Sequence, residues 1–81
     1  MLIRYDREVD ALYVSFRAAL PGDAVRTVEL DERRRVDYDD RGEPIGLEVL
    51  DARDGIDLER VPRAEEIREA LRVFGDLARA A

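Results

Sequence analysis

The 81-residue sequence contains no cysteine, histidine, lysine, asparagine, glutamine or tryptophan. Without cysteine there can be no disulfide framework, no thiolate metal site and no thiol redox chemistry. The absence of histidine and cysteine also excludes Ser-His-Asp and Cys-His catalytic arrangements, and the absence of lysine excludes Schiff-base chemistry. Only carboxylates, tyrosines and arginines remain for chemistry, so we expect no enzymatic activity, no catalytic residue and no cofactor.

The sequence also lacks the long apolar runs of membrane proteins. No stretch approaches the roughly 18 consecutive apolar residues that a spanning helix needs, and no apolar run follows a basic N-terminal segment. We therefore expect a cytoplasmic protein without membrane contact. The bias towards Ala, Arg, Gly, Asp and Glu suggests a GC-rich bacterial genome.

Acidic residues outnumber basic ones, 20 to 14, which gives a net charge of −6 at pH 7. An acidic surface repels nucleic-acid phosphates and anionic lipids, so we expect no nucleic-acid partner. The same surface suits a small basic protein as partner. A chain this short also builds a modest core, which self-association as a homodimer would supplement.

Apolar residues alternate with polar ones through the first two thirds of the chain, which is typical of half-buried strands. The pattern predicts strands at residues 2–5, 11–17, 24–30, 35–39 and 45–50. Because the predicted connections are short, we expect sequential antiparallel neighbours. The fold class predicted is α+β in one domain: a small antiparallel β-meander of about five strands over residues 1–52, a linker over 53–61 and a C-terminal amphipathic α-helix over 62–81.

The predicted helix has an apolar stripe about half its circumference wide. A helix that faces one core needs a stripe of only about 100°. We therefore predict that part of the helix contacts a second surface, from a sister chain or another protein. The candidate partner or dimer interface consists of Ile67, Ala70, Leu71, Val73, Phe74, Leu77 and Ala81.

The segment 36–52 contains six carboxylates, of which Asp37, Asp39 and Asp40 are the candidate metal ligands. Oxygen ligands of this kind suit Mg²⁺ or Ca²⁺. Arg41, however, occupies the third ligand position of the nearest calcium-loop pattern, and no bidentate glutamate follows at the required distance. We therefore predict no metal site and interpret these acids as the solvated face of a hairpin.

A two-residue type I′ loop at Arg41-Gly42 is predicted for that hairpin. It places Tyr38 opposite Ile45 and Val36 opposite Leu47, all on the buried face. The same register pairs Arg35 with Glu48. A three-residue loop ending at Gly42 would put Asp37 opposite Ile45, and we reject it because it mixes the polar and apolar faces.

Two further groups are candidate contact sites. Arg33, Arg34 and Arg35 point to alternate faces of a strand and cannot converge on one phosphate, so they are interpreted as a charged turn leading into an edge strand. Tyr13 lies on the face opposite the apolar one and is the tyrosine predicted to contact something outside the sheet.

Several short motifs together resemble a known bacterial family. They are Tyr5-Asp6, Asp10-Ala11-Leu12-Tyr13, Asp37-Tyr38-Asp39, Gly42 and the run Gly46-Leu47-Glu48-Val49-Leu50-Asp51-Ala52. Over roughly the first two thirds of the chain this pattern resembles the domain-of-unknown-function 2283 family. The resemblance implies a small, mostly β domain with no established activity. Some members are encoded beside small toxin-like proteins, which implies antitoxin-like neutralisers.

Three functions follow as hypotheses. The first is a protein-interaction module, homodimeric and able to neutralise a small basic toxin-like protein. The second is a carboxylate metal-binding protein with hydrolytic activity, and the third is a homo-oligomeric structural domain without a dedicated partner.

Overall fold

A computed structural model of the chain describes residues 1–18, 20 and 22–80, with the backbone alone for residues 75–80. Five strands are followed by a short 3₁₀ turn and one α-helix. They are β1 (Leu2–Asp6), β2 (Ala11–Ser15), β3 (Arg26–Glu29), β4 (Arg34–Tyr38), β5 (Pro44–Leu50), the turn Ala52–Asp54 and α1 (Ala64–Ala80). The α+β class, with five antiparallel strands and one C-terminal helix, is confirmed.

The order of the strands across the sheet is β1-β2-β5-β4-β3. The prediction of sequential neighbours is wrong at one step, because β2 pairs with β5 and not with β3. Apolar alternation in β2 and β5 matches, so that Leu12 lies opposite Val49 and Val14 opposite Leu47, all four buried. Three of the four residues of β3 are exposed, which suits an outer edge. The connection over residues 16–25 is long enough to bring the chain around to that edge.

The core lies on one face of the sheet. Val14, Val36 and Leu47 are fully buried there, at 0 % exposure. The segment that precedes the helix covers them with Leu58 and Val61, and α1 adds Ile67. Residues 53–61 therefore contribute to the core in addition to linking the sheet to the helix. Each such burial stabilises the fold by roughly 1.5–3 kcal/mol.

The helix α1 begins at Ala64, just after Pro62, with Glu65 and Glu66 in its first turn. Acidic residues there interact favourably with the positive end of the helix dipole. Of the residues described, no helix combines the length and apolarity that crossing a lipid bilayer would need.

The β4–β5 hairpin keeps its predicted register only at the end far from the loop. Arg35 lies opposite Glu48 and Val36 opposite Leu47, as predicted. The register then shifts by one, so that Tyr38 pairs with Pro44 rather than with Ile45. This β-bulge makes Ile45 the extra residue of β5.

The hairpin loop explains the shift. The Gly42 N–H donates to the Asp39 carbonyl at 3.1 Å, and the Asp39 N–H donates to the Glu43 carbonyl at 2.9 Å. Gly42 has φ +80°, whereas Arg41 is not among the positive-φ residues. The predicted type I′ turn is therefore wrong, and the three-residue loop that was rejected is present. The bulge absorbs its extra residue, which leaves Asp37 opposite Gly46.

The bulge also moves Ile45 to the other face. Ile45 is 3 % exposed but does not belong to the main core cluster. It lines a cavity of about 780 Å³ on the opposite face, together with Tyr13 and Ser15. The prediction that Ile45 shares the core face with Leu47 is wrong, because one inserted residue reverses the alternation.

Arg34 occupies a position that the sequence did not predict. Strand β4 lies between β5 and β3, so it is not an edge strand, and Arg34 is 4 % exposed. Its guanidinium pairs with Asp31 at 2.8 Å and donates to the carbonyls of Asp57 (3.0 Å) and Glu59 (2.6 Å). The arginine therefore fastens the segment before the helix to the sheet.

Candidate interaction surface

An open groove runs between the outer edge strand β1 and helix α1. Its volume is about 800 Å³. Both elements supply apolar side chains to it, and glutamates of the helix form its rim. The lining residues are Met1, Leu2, Ile3, Ala70, Val73 and Phe74, with Glu65, Glu66 and Glu69 at the rim.

The exposure of these side chains is high for apolar residues. Leu2 is 60 % exposed, Val73 46 % and Phe74 38 %. Apolar surface gathered in one place on a folded chain is a common mark of an interaction site. The groove is thus one part of the described surface where exposed apolar side chains and a concave shape coincide; Met1 and Leu2 also line the cavity of about 780 Å³ on the opposite face.

The predicted helix interface divides into two groups. Ala70, Val73 and Phe74 line the groove, as an interface would require. Ile67 is fully buried between helix and sheet and is unavailable to a partner, which corrects the predicted interface at this position. Leu71 packs against the core but stays partly exposed. The side chain of Leu77, and Ala81, lie outside the described residues.

The N-terminal strand supplies the half of the groove that sequence reasoning missed. Leu2 lies opposite Ser15 at the outer edge of the sheet, where only β2 pairs with β1. A leucine on the otherwise polar face of β1, beside Arg4, was the available signal. The predicted wide helix stripe gave no indication that β1 would lie beside it.

Each glutamate of the rim is paired with an arginine. The Arg63 guanidinium donates to Glu66 and the Arg72 guanidinium to Glu69, both at 2.5 Å, and each bond lowers the pKa of the glutamate. Glu65 forms an ion pair with Arg68. These pairs are exposed and contribute little to stability. Their effect is to hold carboxylates in place beside the apolar floor.

Asp37, a candidate metal ligand, lies on the sheet face opposite the core. It accepts hydrogen bonds from the Tyr13 hydroxyl at 2.8 Å and from the Thr27 hydroxyl at 2.6 Å. The Tyr13 ring extends over Gly46, and a Cβ at position 46 would lie 2.0 Å from the tyrosine oxygen. Gly46 is therefore the residue that makes room for the Tyr13–Asp37 contact.

Burial, and then the hydrogen bond to Asp37, raises the pKa of Tyr13 to about 12. Tyr13 is thus a neutral phenol at physiological pH and no general base. Predicted as a contact for an outside molecule, it is half-buried and bonded within the sheet.

Asp39 and Asp40 have separate roles in the hairpin loop. Asp39 accepts from the backbone N–H groups of Glu43 and Arg41, each at 2.9 Å, and from Arg17 at 2.9 Å. The Glu43 bond is the main reason that the pKa of Asp39 lies below its ordinary value. Asp40 is exposed at the loop. Across the part of the chain that the structure describes, no group of three or more carboxylates is arranged to hold a metal ion.

A second tyrosine–aspartate contact lies at the β1–β2 turn. The Tyr5 hydroxyl donates to Asp10 at 2.6 Å, and the Arg53 backbone N–H donates to the same carboxylate at 3.1 Å. The tyrosine bond is the largest cause of the lowered pKa of Asp10. Asp10 also has φ +54°, so it is held in a conformation that most residues avoid.

A comparison with protein-family models gives one match. The family described as "Protein of unknown function (DUF2283)" matches residues 2–53, about two thirds of the chain, and the chain belongs to that family. No curated protein and no solved structure matches. The tyrosine–aspartate contacts described above join residues inside the matched region, so the motif residues hold the sheet together.

Proposed function

We propose that this member of the DUF2283 family is a non-enzymatic protein-interaction module, whose docking surface is the groove between β1 and α1. The observation that carries the proposal is the joint exposure of Leu2, Val73 and Phe74 in one concave place. Docking of an apolar partner surface there would remove this area from water, at about 25 cal/mol per Å² before the costs of association.

The charge of the chain defines the partner that fits. The net charge of −6 favours a basic protein, and the apolar lining of the groove favours apolar contact residues on that protein. A small basic protein meets both requirements. On this proposal the module covers the basic surface of its partner and neutralises it, in the manner of an antitoxin. Because the rim is exposed, the association should weaken as salt rises.

The non-enzymatic part of the proposal rests on how the polar groups are used. Tyr13 and Asp37 bond to each other, and the Asp39 carboxylate is taken up by the hairpin loop and Arg17. No observation favours the hydrolytic metal-site alternative over this one.

The experiment compares two aspartate substitutions of equal charge. Val73→Asp places a charge in the groove, while Val25→Asp makes the same change at a valine that is 60 % exposed and lines a different cavity. Each variant is co-expressed with the small basic proteins encoded beside its gene, and binding is measured by calorimetry after a melting curve confirms folding. We expect wild type and Val25→Asp to bind alike and Val73→Asp to bind at least about tenfold more weakly.

Two results would overturn the proposal. One is unchanged binding by Val73→Asp. The other is the absence of any basic partner with a Kd below about 100 μM, which corresponds to roughly 5.5 kcal/mol of binding free energy.

A further inference from the structure

The outer edge of β1 offers a second surface, distinct from the groove. Strand β1 pairs with β2 on one side, and no other described strand pairs with it. An edge of this kind carries a row of unpaired backbone N–H and C=O groups that can template another strand. The opposite edge is less suitable, because an axis that pairs Arg26 of β3 with Glu29 of a second copy passes between two residues and so mixes the two faces.

We infer that a second copy of this chain pairs with β1 in antiparallel orientation, about a two-fold axis at Tyr5, and joins two five-stranded sheets into one of ten strands. The proposal concerns assembly and goes beyond the proposed function. The argument for the second copy is the complementarity of charge along β1 itself.

Leu2, Arg4 and Asp6 alternate with residues that face the core, and all three are exposed. An axis at Tyr5 places Arg4 opposite Asp6 of the second copy, and Asp6 opposite Arg4 of the second copy. Two identical ion pairs result from one symmetry operation. On the core side the same axis places Tyr5 against Tyr5 of the second copy, and aromatic cross-strand pairs are favourable.

The neighbouring registers are less favourable. An axis that passes between two residues pairs core-facing with outward-facing positions and mixes the two faces. An axis at Arg4 sets the two Arg4 side chains opposite each other, which is repulsive. An axis at Ile3 pairs residues 2–4 and sets Arg4 opposite Leu2, so it forms no ion pair; the Tyr5 axis also pairs three residues, 4–6, and forms two. The Tyr5 axis uses both charges of β1.

Both charges are available for these pairs. In the described part of the chain the Arg4 side chain makes no hydrogen bond or ion pair, and Asp6 accepts one bond, from the Glu8 backbone N–H at 3.0 Å. Formation of the intermolecular pairs therefore breaks no existing ion pair. Arg4 and Asp6 do not line the groove, so substitutions at these two positions test the pairing separately from the proposed docking surface.

Single cysteines decide the register, and the chain has no cysteine of its own to interfere. Leu2→Cys, Arg4→Cys and Asp6→Cys are made separately in the full chain, mixed in pairs and oxidised. Facing residues of antiparallel strands have Cα atoms about 4.5–5.5 Å apart, within disulfide range. We expect the mixture of Arg4→Cys with Asp6→Cys to cross-link, since its mixed dimer keeps the other Arg4–Asp6 pair intact.

Other cross-links would overturn the inference. Dominant cross-linking of Arg4→Cys with itself would place the axis at Arg4. Dominant cross-linking of Leu2→Cys with Arg4→Cys would place it at Ile3. No cross-link in any mixture would mean that β1 does not meet a second β1.

Charge reversal measures the contribution of the pairs in solution. Arg4→Asp should raise the dimer Kd about tenfold or more, because both ion pairs become repulsive, and the double variant Arg4→Asp/Asp6→Arg should restore it. The readout is the mass by light scattering or ultracentrifugation across a concentration series. A wild-type monomer at about 100 μM would sink the inference, and binding of a basic protein by that monomer would leave the proposed function standing.

Discussion

Replacement of Gly46 by alanine tests the most crowded contact on the sheet face opposite the core. A Cβ at this position would lie 2.0 Å from the Tyr13 oxygen and 2.5 Å from its Cζ, distances that real Cβ atoms do not show. Gly46 is not among the glycines with positive φ, so the backbone itself accepts alanine. The alanine therefore acts on one neighbour: the Tyr13 ring has to move away.

The size of the effect follows from what the ring loses. Moving Tyr13 breaks its 2.8 Å bond to Asp37, a hydrogen bond to a charged group, which contributes roughly 1.5–3 kcal/mol. Strain from the inserted methyl group contributes roughly 1–3 kcal/mol more, part of which the displaced ring relieves. We expect Gly46→Ala to lower the free energy of unfolding by about 3 kcal/mol.

The sign should reverse when the ring is absent. In a Tyr13→Ala background nothing obstructs the new methyl group, and alanine in place of glycine stabilises by roughly 0.4–1 kcal/mol through the unfolded chain. The double-mutant cycle should then show a coupling of about 3 kcal/mol or more, which is large even for residues in contact. A Tyr13→Phe background separates the two causes. It removes the hydroxyl but keeps Cζ in place, so Gly46→Ala should remain destabilising there.

The assay is urea unfolding followed by far-ultraviolet circular dichroism on the wild type, the three single variants and the two double variants. Equal destabilisation by Gly46→Ala in the wild-type and Tyr13→Ala backgrounds would refute the reasoning. That result would mean that the cost arises in the backbone of β5 and not from the tyrosine ring.

Three further variants test other parts of the fold. Arg34→Ala should lower the free energy of unfolding by about 3 kcal/mol in urea, because it removes the ion pair with Asp31 and leaves the carbonyls of Asp57 and Glu59 without their Arg34 donor. The folded state binds the Tyr13 proton more tightly than the unfolded state, whose pKa is near 10. Wild-type stability should therefore fall by roughly 1–2 kcal/mol more than that of Tyr13→Phe as pH rises from about 10 to about 12; equal losses would exclude this linkage. Arg41→Gly should destabilise the fold by roughly 0.5–1 kcal/mol in thermal melts, because residue 41 does not need positive φ and glycine only makes the unfolded chain more flexible. A stabilised variant would instead indicate the positive φ at residue 41 that a type I′ turn requires.

Local periodicity was sufficient to find the strands and the helix but not to order them. The alternation of Leu12 and Val14 says that β2 has one buried face, and the same holds for Val36 in β4. It does not say which buried strand lies beside which. The choice of β5 as the neighbour of β2 depends on how well their apolar residues match across the pair, which is a property of two distant segments.

The hairpin was mispredicted for a different reason. The sequence favours Arg41-Gly42 as a complete two-residue loop, because a three-residue loop mixes the polar and apolar faces if the strand pairing stays regular. The bulge at Ile45 removes this conflict. Gly42 adopts its positive φ in a three-residue loop, and beyond the bulge Val36 still lies opposite Leu47 on the core face. The cost of the bulge is small when Ile45 can be buried on the other face beside Tyr13.

The burial of Arg34 and the existence of the groove are both hard to predict from the sequence, for the same reason. Arg34 is buried because carbonyls from 23 and 25 residues away converge on it, and nothing near Arg34 in the sequence signals them. Likewise Val73 and Phe74 were predicted from the helix alone, whereas Leu2 was not, because a groove exists only after two elements are placed side by side. Residues whose role is set by one element are predictable, and residues whose role is set between elements are not.

The residues that hold the sheet together and the residues that line the groove on the helix side lie in different parts of the chain. The matched region, residues 2–53, contains Tyr5, Tyr13 and Gly46, which are committed to contacts within the sheet. The helix side of the groove, with Val73 and Phe74, lies beyond that region. If the groove is the docking surface, the family motif supplies a scaffold whose β1 edge borders the groove, and the segment after residue 53 determines what binds beside that edge. Identity of the motif between two members would then predict a common fold, while the partner would have to be inferred from the apolar and acidic residues of the helix.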